Sequence, residues 1–521
     1  MAVRASTRAP LASSVAARGL EWLPALSAAA YVATVAVSFP ALVRALYWNS
    51  DAAGAFTLAD LYNGHGHVEI PRFGWWSSLW WLLATRNVPG HAQLWEITGY
   101  AFALAGAAIV GWVTWRIAGR WAGVAAAAIA VAVGPAALYP LLTVNFHTST
   151  PFTAVVLGGY LVALRQSSSW LLAVAVGVLA GVNAASDPLL WVAGVGPFVV
   201  GAAVLVFASR RRDAAVRAAV TLGVITVGFF ATGSLMRAVG FHVHPVGVHR
   251  AGVHDLAPNI IKLGKSIAQV FGANHFFPGV YPDPALRYAI TLLAFAGVGG
   301  TVFVAARLIM RRAEPTVRAY ASYWAASAVL LGIAFCVTNQ GTGVGPGGGV
   351  NYLLSLAPAT AVGVALLAAP SYAGRVAVSL AVAFIGAVNV AGVAAGRAEK
   401  HAGAETYGTQ LVRLIESKGV THGYAGYWDA HSLTWKSGLR VVLAPVQACP
   451  DAHDTLCRFH LGFTVDSWYD ERPGPSVLIV DPPAWLAFTP PPSLGKPYST
   501  ERFGPNITVY FFRHDLARHV R

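Results

Sequence analysis

Long apolar segments separated by short polar ones dominate the sequence. Because a helix needs about 20 mostly apolar residues to cross a bilayer, these segments predict eleven transmembrane helices. The predicted spans are residues 22–46, 93–115, 121–142, 150–164, 169–186, 188–208, 218–239, 288–308, 319–338, 352–370 and 376–396. Hydrophobic residues make up 56% of the sequence and charged residues 11%, which excludes a soluble enzyme, a disordered protein and a coiled coil.

Positive charge is divided unevenly between the polar segments. The net charge is +14, but residues 401–521 hold 11 Lys or Arg and 11 Asp or Glu, so the excess lies in residues 1–400. With a cytoplasmic N-terminus, the inner segments carry 15 positive and 3 acidic residues, and the outer segments up to residue 400 carry 10 and 8. This bias predicts a multi-pass plasma-membrane protein with an extracytoplasmic C-terminus, and it argues against nucleic-acid binding.

The order of the segments predicts three regions. Residues 1–21 form a cytoplasmic tail, and the first span is too long for a signal-peptide core, so we expect an uncleaved anchor. Residues 22–396 form the transmembrane domain, with outer loops at 47–92 and 240–287. In residues 397–521, short apolar runs alternate with Pro- and Gly-rich breaks after a short amphipathic helix, a pattern typical of a small α/β domain.

Cysteines and histidines were considered as disulfide partners and as metal ligands. Outside the membrane, Cys449 and Cys457 are expected to form a disulfide, with two free thiols as the alternative. The second outer loop contains five histidines without a cysteine or a His-Glu-x-x-His helix, so a divalent metal is possible but not indicated, and no cofactor is required. These histidines are His242, His244, His249, His254 and His275.

The first outer loop contains the most conspicuous acid. Asp51 comes directly after the first span, where a carboxylate could act in catalysis, cap a helix or be solvated. The loop continues through Asp60, Glu69 and Arg72 into the aromatic run at residues 73–81, which is typical of an interfacial belt or a re-entrant helix.

Other polar residues on the outer side are expected to line a cavity or to bind a phosphate. His147 and Asp187 lie on short outer turns. Arg250, Lys262 and Lys265 belong to the second outer loop, and cations of this kind neutralise the phosphate of a lipid. Solvated loop charge is the alternative for each of these three. Arg72, in the first outer loop, is a fourth candidate cation for the phosphate. The inner loops contain arginines and little else, so a site made by this protein is expected to face outward.

Three short motifs resemble those of known membrane proteins. They are Asn49-Ser50-Asp51, Ala185-Ser186-Asp187-Pro188 and the stretch from Gly426 to Gly438, which contains Tyr427-Trp428-Asp429. Together with the multiple spans and the outer C-terminal region, they resemble the GT-C glycosyltransferases, and more narrowly a poorly characterised actinobacterial branch of GT-C-like proteins.

The resemblance implies a chemistry and a set of partners. It implies an inverting transfer of a sugar from a polyprenyl-phosphate donor, with Asp51 at the position of the catalytic base. The acceptor would be a glycan, lipid or protein of the cell envelope, and membrane lipids surround the protein. Asp51 is followed by Ala52, whereas protein O-mannosyltransferases have a second acid there, so the acceptor type stays open. Tyr427-Trp428-Asp429 is only a near match to the Trp-Trp-Asp motif of oligosaccharyltransferases, and no role is transferred to it.

Two other functional classes remain open. A transporter or lipid flippase would have ionisable residues in mid-span and paired broken helices, and the spans are almost free of charge. A non-catalytic GT-C-like scaffold would keep Asp51 as a helix cap and use the outer domain to bind a cell-wall partner.

Overall fold

A computed structural model shows a mostly helical chain with a C-terminal sheet. It describes residues 11–45, 50–62, 64, 67–71, 87–88, 91–142, 147–166, 169–244, 248–276, 282–342, 348–401, 407–452, 454–460, 462–484 and 486–521. The aromatic run at 73–81, like Arg72, lies outside these residues.

Every predicted span coincides with a helix or with a pair of helices. The helices before the C-terminal region are α1 (Leu11–Ala45), α2 (Ser50–Leu61), α3 (His91–Ala118), α4 (Arg120–Val131), α5 (Pro135–Leu142), α6 (Ser149–Ala163), α7 (Trp170–Ser186), α8 (Gly196–Ser209), α9 (Arg212–Ala238), α10 (Leu256–Val270), α11 (Pro284–Met310), α12 (Pro315–Val337), α13 (Leu356–Ala368) and α14 (Tyr372–His401). Among the described residues, seven helices are long and apolar enough to cross a membrane. The number rises to eight if α4 and α5 together form one span, and α6, α7 and α13 are shorter apolar helices. The chain is therefore a multi-pass membrane protein.

A sharp break separates α4 from α5, whose axes differ by 76°. The backbone groups released at the break bind elsewhere in the protein: Gly134 N donates to Val270 O at 2.8 Å. The Asn389 side chain, fully buried on α14, donates to Ala132 O at 3.0 Å and to Phe271 O at 3.4 Å. A single asparagine thus joins the break in the predicted third span to the turn that follows α10.

The C-terminal region contains a six-stranded mixed sheet in the order β5-β4-β3-β7-β9-β8. Its elements are α15 (Tyr407–Ser417), β3 (His422–Ala425), α16 (Tyr427–Lys436), β4 (Val442–Ala448), β5 (Leu456–Arg458), β7 (Ser476–Val480), β8 (Ser499–Phe503) and β9 (Ile507–Phe512). Strand β3 runs parallel to both β4 and β7, and the other pairings are antiparallel. All five residues of β7 are buried, as expected for a strand covered on both faces.

A second, three-stranded sheet connects this region to the outer loops. Its strands are β1 (Val68–Pro71), β2 (Phe241–His244) and β6 (Thr464–Val465), with β1 in the centre. The apolar side chains of these strands join one buried cluster with residues of α1, α2 and the C-terminal sheet. The C-terminal region therefore packs directly on the first outer loop.

Cys449 and Cys457 form a disulfide between the end of β4 and the strand β5. The loop that they close is also held by backbone hydrogen bonds, including Cys449 N to Thr455 O at 2.9 Å. Cys336, on α12, is not part of a disulfide.

We expect Cys449→Ser to destabilise the C-terminal sheet by about 2–3 kcal/mol, because the bond restricts the unfolded chain across a loop of about nine residues. Membrane insertion should be unaffected, since the bond lies outside the apolar helices. Hydrogen exchange of β4 and β5 measures the first effect, and Cys336→Ser is the control. Thiol labelling of the denatured, unreduced wild type should find one cysteine, and finding three would contradict the disulfide.

Candidate functional site

Asp51 is the second residue of α2, a twelve-residue helix that follows α1 after a short connection. Its side chain lies outside the described part of the structure, as does all of Arg72. Residues 53–59 are all buried, so α2 is embedded in the protein rather than exposed on a loop. The backbone amides of a first helical turn favour a negative charge, so a carboxylate suits this position.

Two side chains from the C-terminal region contact α2. The Phe56 ring meets the Trp435 ring edge-on, with centroids 3.7 Å apart. Gly54 lies against Phe463 so closely that a Cβ atom on Gly54 would be 2.4 Å from the Phe463 ring. Phe463 is fully buried. Helix α2, which contains Asp51, is therefore packed against residues about 400 positions later in the chain.

The polar face of the three-stranded sheet contains four of the acidic and histidine residues of the outer loops. Glu69 on β1 lies opposite His242 on β2, and its carboxylate is hydrogen-bonded to His244. The His67 and His242 rings are 5.3 Å apart between centroids. Within the described ranges, no group of three or more His, Cys, Asp or Glu is arranged to hold a metal ion.

His147 and Asp187, which the sequence assigns to one cavity, are in direct contact. His147 Nδ1 lies 2.8 Å from Asp187 Oδ2, and both side chains are buried. The Thr150 hydroxyl donates to the same oxygen, and Leu189 N donates to Asp187 Oδ1 at 3.0 Å. The imidazole also packs on the Tyr352 ring, 4.7 Å away between centroids. The carboxylate thus fixes the orientation of the ring.

An apolar groove opens between α3, α6 and α7, beside this pair. Its volume is about 530 Å³. It is lined by Leu94, Trp95, Ile97, Thr98, Ala101, Phe102, Ser149, Phe152, Thr153, Leu179, Val182 and Asn183. Its polar residues interact with one another: Asn183 Nδ2 donates to Thr153 Oγ1 at 2.8 Å, and Ser149 Oγ donates to Asn183 Oδ1 at 3.0 Å. The groove combines an apolar wall with a compact polar edge.

Of the four predicted phosphate-binding cations, Arg72 lies outside the described residues, and two of the others lie beside one segment, which follows α12. Arg250 pairs by its backbone with Thr338, and the Lys262 ammonium donates to Gly341 O at 2.9 Å. Lys265 is exposed, and its ammonium lies 5.8 Å from the centre of the Phe276 ring. Arg250 is also exposed. Arg250 and Lys262 thus lie beside the segment after α12, whereas His147 and Asp187 form a buried pair of their own.

A pair of buried carboxyl groups was not predicted from the sequence. Asp429, in the first turn of α16, is 2% exposed, and Asp481, directly after β7, is 7% exposed. Burial, and next the neighbouring Asp481, raises the pKa of Asp429 to about 7, and burial also raises the pKa of Asp481. The two acids follow β3 and β7, which are parallel neighbours, so they meet at one edge of the sheet.

A third buried acid of the same sheet shows the opposite behaviour. Asp515 accepts hydrogen bonds from Tyr424 OH at 2.7 Å and from Arg472 N at 2.6 Å, and His422 Nε2 is 3.5 Å away. Burial opposes ionisation here too, but these donors outweigh it and lower the pKa of Asp515. His431, next to the carboxyl pair in sequence, is fully buried, and burial lowers its pKa to about 3, so this imidazole is neutral at physiological pH.

The carboxyl pair predicts a specific pH dependence of stability. Between the ordinary value of 3.8 and about 7, the folded protein holds a proton on Asp429 that the unfolded chain releases, so stability falls as the pH rises through this window. We expect Asp429→Asn to abolish that part of the fall, raising the melting temperature relative to wild type at pH 8 but not at pH 4. Thermal unfolding of the solubilised full chain measures the melting temperature at each pH. Asp451→Asn, at an exposed residue, is the control. Parallel pH profiles for Asp429→Asn and wild type would show that the pair is not protonated.

Comparisons with known proteins bear on the fold. No family model matches the sequence, and no curated protein matches it. The crystal structure of ArnT from Cupriavidus metallidurans in the apo state superposes with a TM-score of 0.53 and 14% identity, over 92% of this chain and 97% of that one. The structure of the same protein bound to undecaprenyl phosphate gives a TM-score of 0.51 and 13% identity over the same shares.

A more distant similarity is found with the oligosaccharyltransferase of Archaeoglobus fulgidus, with a TM-score of 0.45 and 12% identity over 79% of this chain and 62% of that one. At such identities the likeness to ArnT concerns the fold. It confirms the predicted fold class: this chain is a polytopic helical membrane protein with the GT-C fold and a C-terminal region that contains a β-sheet.

Proposed function

We propose that this protein is a membrane glycosyltransferase that moves a sugar from a polyprenyl-phosphate donor to an extracytoplasmic acceptor, with inversion at the anomeric carbon. The observation that carries the proposal is the likeness in fold to ArnT over 92% of the chain. One of the two similar ArnT structures is bound to undecaprenyl phosphate. Asp51 is the proposed general base, because it opens the buried helix α2 immediately after the first transmembrane helix.

The proposed reaction needs one base and one stabilised leaving group. The acceptor hydroxyl oxygen attacks the anomeric carbon and loses its proton to Asp51, while the bond between that carbon and the phosphate oxygen breaks. The leaving group is a lipid phosphate, which is a weak base. Arg72, Arg250, Lys262 and Lys265 are the proposed cations that stabilise its charge.

The groove between α3, α6 and α7 offers a place for part of the donor's hydrocarbon chain. It is mostly apolar, its volume of about 530 Å³ admits several isoprene units, and its polar edge contains Ser149 and Asn183. Ser149 is close in sequence to His147, and Asn183 to Asp187. We therefore place the buried His147–Asp187 pair behind the polar edge of this groove, with Asp187 orienting His147 rather than acting as the base.

The orientation in the membrane follows from the charge bias. The N-terminus is cytoplasmic, and residues 397–521 form an extracytoplasmic domain, which places Asp51 on the outer side. This assignment depends on the excess of arginine in the inner segments. Alkaline phosphatase fused after Arg521 should be active, because this enzyme folds only outside the cytoplasm. Fusion after Glu314, between α11 and α12, should be inactive, and the reverse pattern would refute the orientation.

The mechanistic prediction concerns the proposed base. Asp51→Asn keeps the size of the side chain but removes the base, so transfer from a polyprenyl-phosphate sugar should fall by about 10²–10⁴-fold. Donor binding should persist, because cations rather than this carboxylate hold the phosphate. The matched control is Asp60→Asn at the opposite end of the same helix, and Glu69→Gln is a second. If Asp51→Asn retains near-normal transfer while Asp187→Asn loses it, Asp51 is not the base.

A further inference from the structure

Helix α2 cannot be held in place by its own helical hydrogen bonds. Isolated helices of about 12 residues are marginally stable in water, so its position depends on what packs against it. Among the described elements, α2 packs chiefly against α16 and β6, both from the C-terminal region.

The contact between Gly54 and Phe463 leaves no spare volume. A methyl group on Gly54 would approach three atoms of the Phe463 side chain, at 2.4, 3.0 and 3.1 Å. Both residues are buried, so neither side can move away into solvent. The edge-on contact of Phe56 with Trp435 lies on the same helix, two residues further on.

The segment that follows Phe463 also contacts the first outer loop at His67 and at strand β1. Val465 pairs with Val68, and Asp466 N donates to His67 O at 3.2 Å. Residues 463–466 therefore contact α2 through Phe463 and β1 through the next three residues. The first outer loop is fixed at its beginning and at its first strand by one four-residue segment.

We infer that residues 463–466, together with Trp435, are positioning residues for the transfer reaction: they set the place of helix α2 and hence of Asp51. The claim that these residues affect transfer rests on the proposed function. The claim that they position α2 rests only on the contacts of α2. The C-terminal region acts through α2 and not by touching the donor. A misplacement of a base by about 1 Å lowers turnover by about 10²-fold without weakening donor binding.

Gly54→Ala is the most direct test, because alanine has the higher helix propensity and any loss must come from the Phe463 ring. The first measurement is hydrogen exchange of residues 50–61 in the full-length protein, which should become about ten-fold faster while β7 and β9 stay protected. The second is steady-state transfer from a polyprenyl-phosphate sugar, where kcat should fall by about 10²-fold and the donor KM should stay within about two-fold.

Two further variants separate positioning from general damage. Adding Phe463→Leu to Gly54→Ala makes room for the methyl group, so it should restore both exchange protection and kcat. The matched control is Gly408→Ala, whose methyl group would lie 2.9 Å from Lys436 Cδ on another contact of α16. The lysine chain can move, and this variant should change neither measurement.

The inference is wrong if exchange of residues 50–61 is unchanged in Gly54→Ala, or if KM rises while kcat stays constant. If Gly54→Ala does not fold, Trp435→Ala, with Trp435→Phe as the conservative partner, replaces it in the same measurements, with the same deciding outcomes. A wild-type protein without any transfer activity would refute the proposed function. The exchange comparison would then still decide whether residues 463–466 hold α2.

Discussion

Backbone groups at membrane depth must bind within the protein, and this constraint controls where the helices can break. Apolar surroundings offer no water to a released amide or carbonyl, so a break requires a buried polar partner. Asn389 supplies it for two segments at once, by binding Ala132 O and Phe271 O. The bend that it stabilises sends α5 towards His147, and the turn that it holds ends α10, the helix with Lys262 and Lys265. Together with the hydrogen bond from Gly134 N to Val270 O, Asn389 therefore fixes the segments that lead to His147 and to the two lysines.

A second constraint operates outside the apolar helices, where α2 and β1 need a partner surface. The C-terminal region provides it, although it begins some 350 residues after α2. One buried apolar cluster includes Tyr31 of α1, Phe56 of α2, Val68 of β1 and Phe463. The boundary at residue 397, drawn from a change in composition, thus separates segments that share a hydrophobic core. The outer loop and the C-terminal region therefore share one contiguous hydrophobic core.

The features that depend on local composition could be predicted from the sequence, whereas the pairings between distant residues could not. Each apolar span matches a helix because hydropathy over about 20 residues decides whether a segment is helical in a membrane. The pairing of β1 with β6 involves two residues of a strand too short to have a periodic signal. The contact of Gly54 with Phe463 has no local signature either. The proximity of His147 and Asp187 followed from their shared side of the membrane, but their hydrogen bond required the three-dimensional structure.

The site residues show the same difference between local signals and distant pairings. Asp51 was singled out by its place after the first span, which is a property of the chain, whereas Asp429 and Asp481 form a pair only because β3 and β7 are neighbours. Had the parallel order of these strands been predicted, the pair would have followed, because residues after parallel strands meet at one edge. What stays inaccessible to such reasoning is the balance of burial and hydrogen bonding that separates Asp429 from Asp515.

Helix α16 links the two features that were not predicted. Its first turn contains Asp429, which shares a buried environment with Asp481, and its last turn contains Trp435, which meets Phe56 of α2. A helix of ten residues is about 15 Å long and behaves as a rigid rod, so a displacement at one end is felt at the other. Helix α16 therefore extends from the carboxyl pair to the helix that contains Asp51. Substitutions at Asp429 and at Trp435 act on the two ends of one element, and a double-mutant cycle between them measures whether the two ends are energetically coupled.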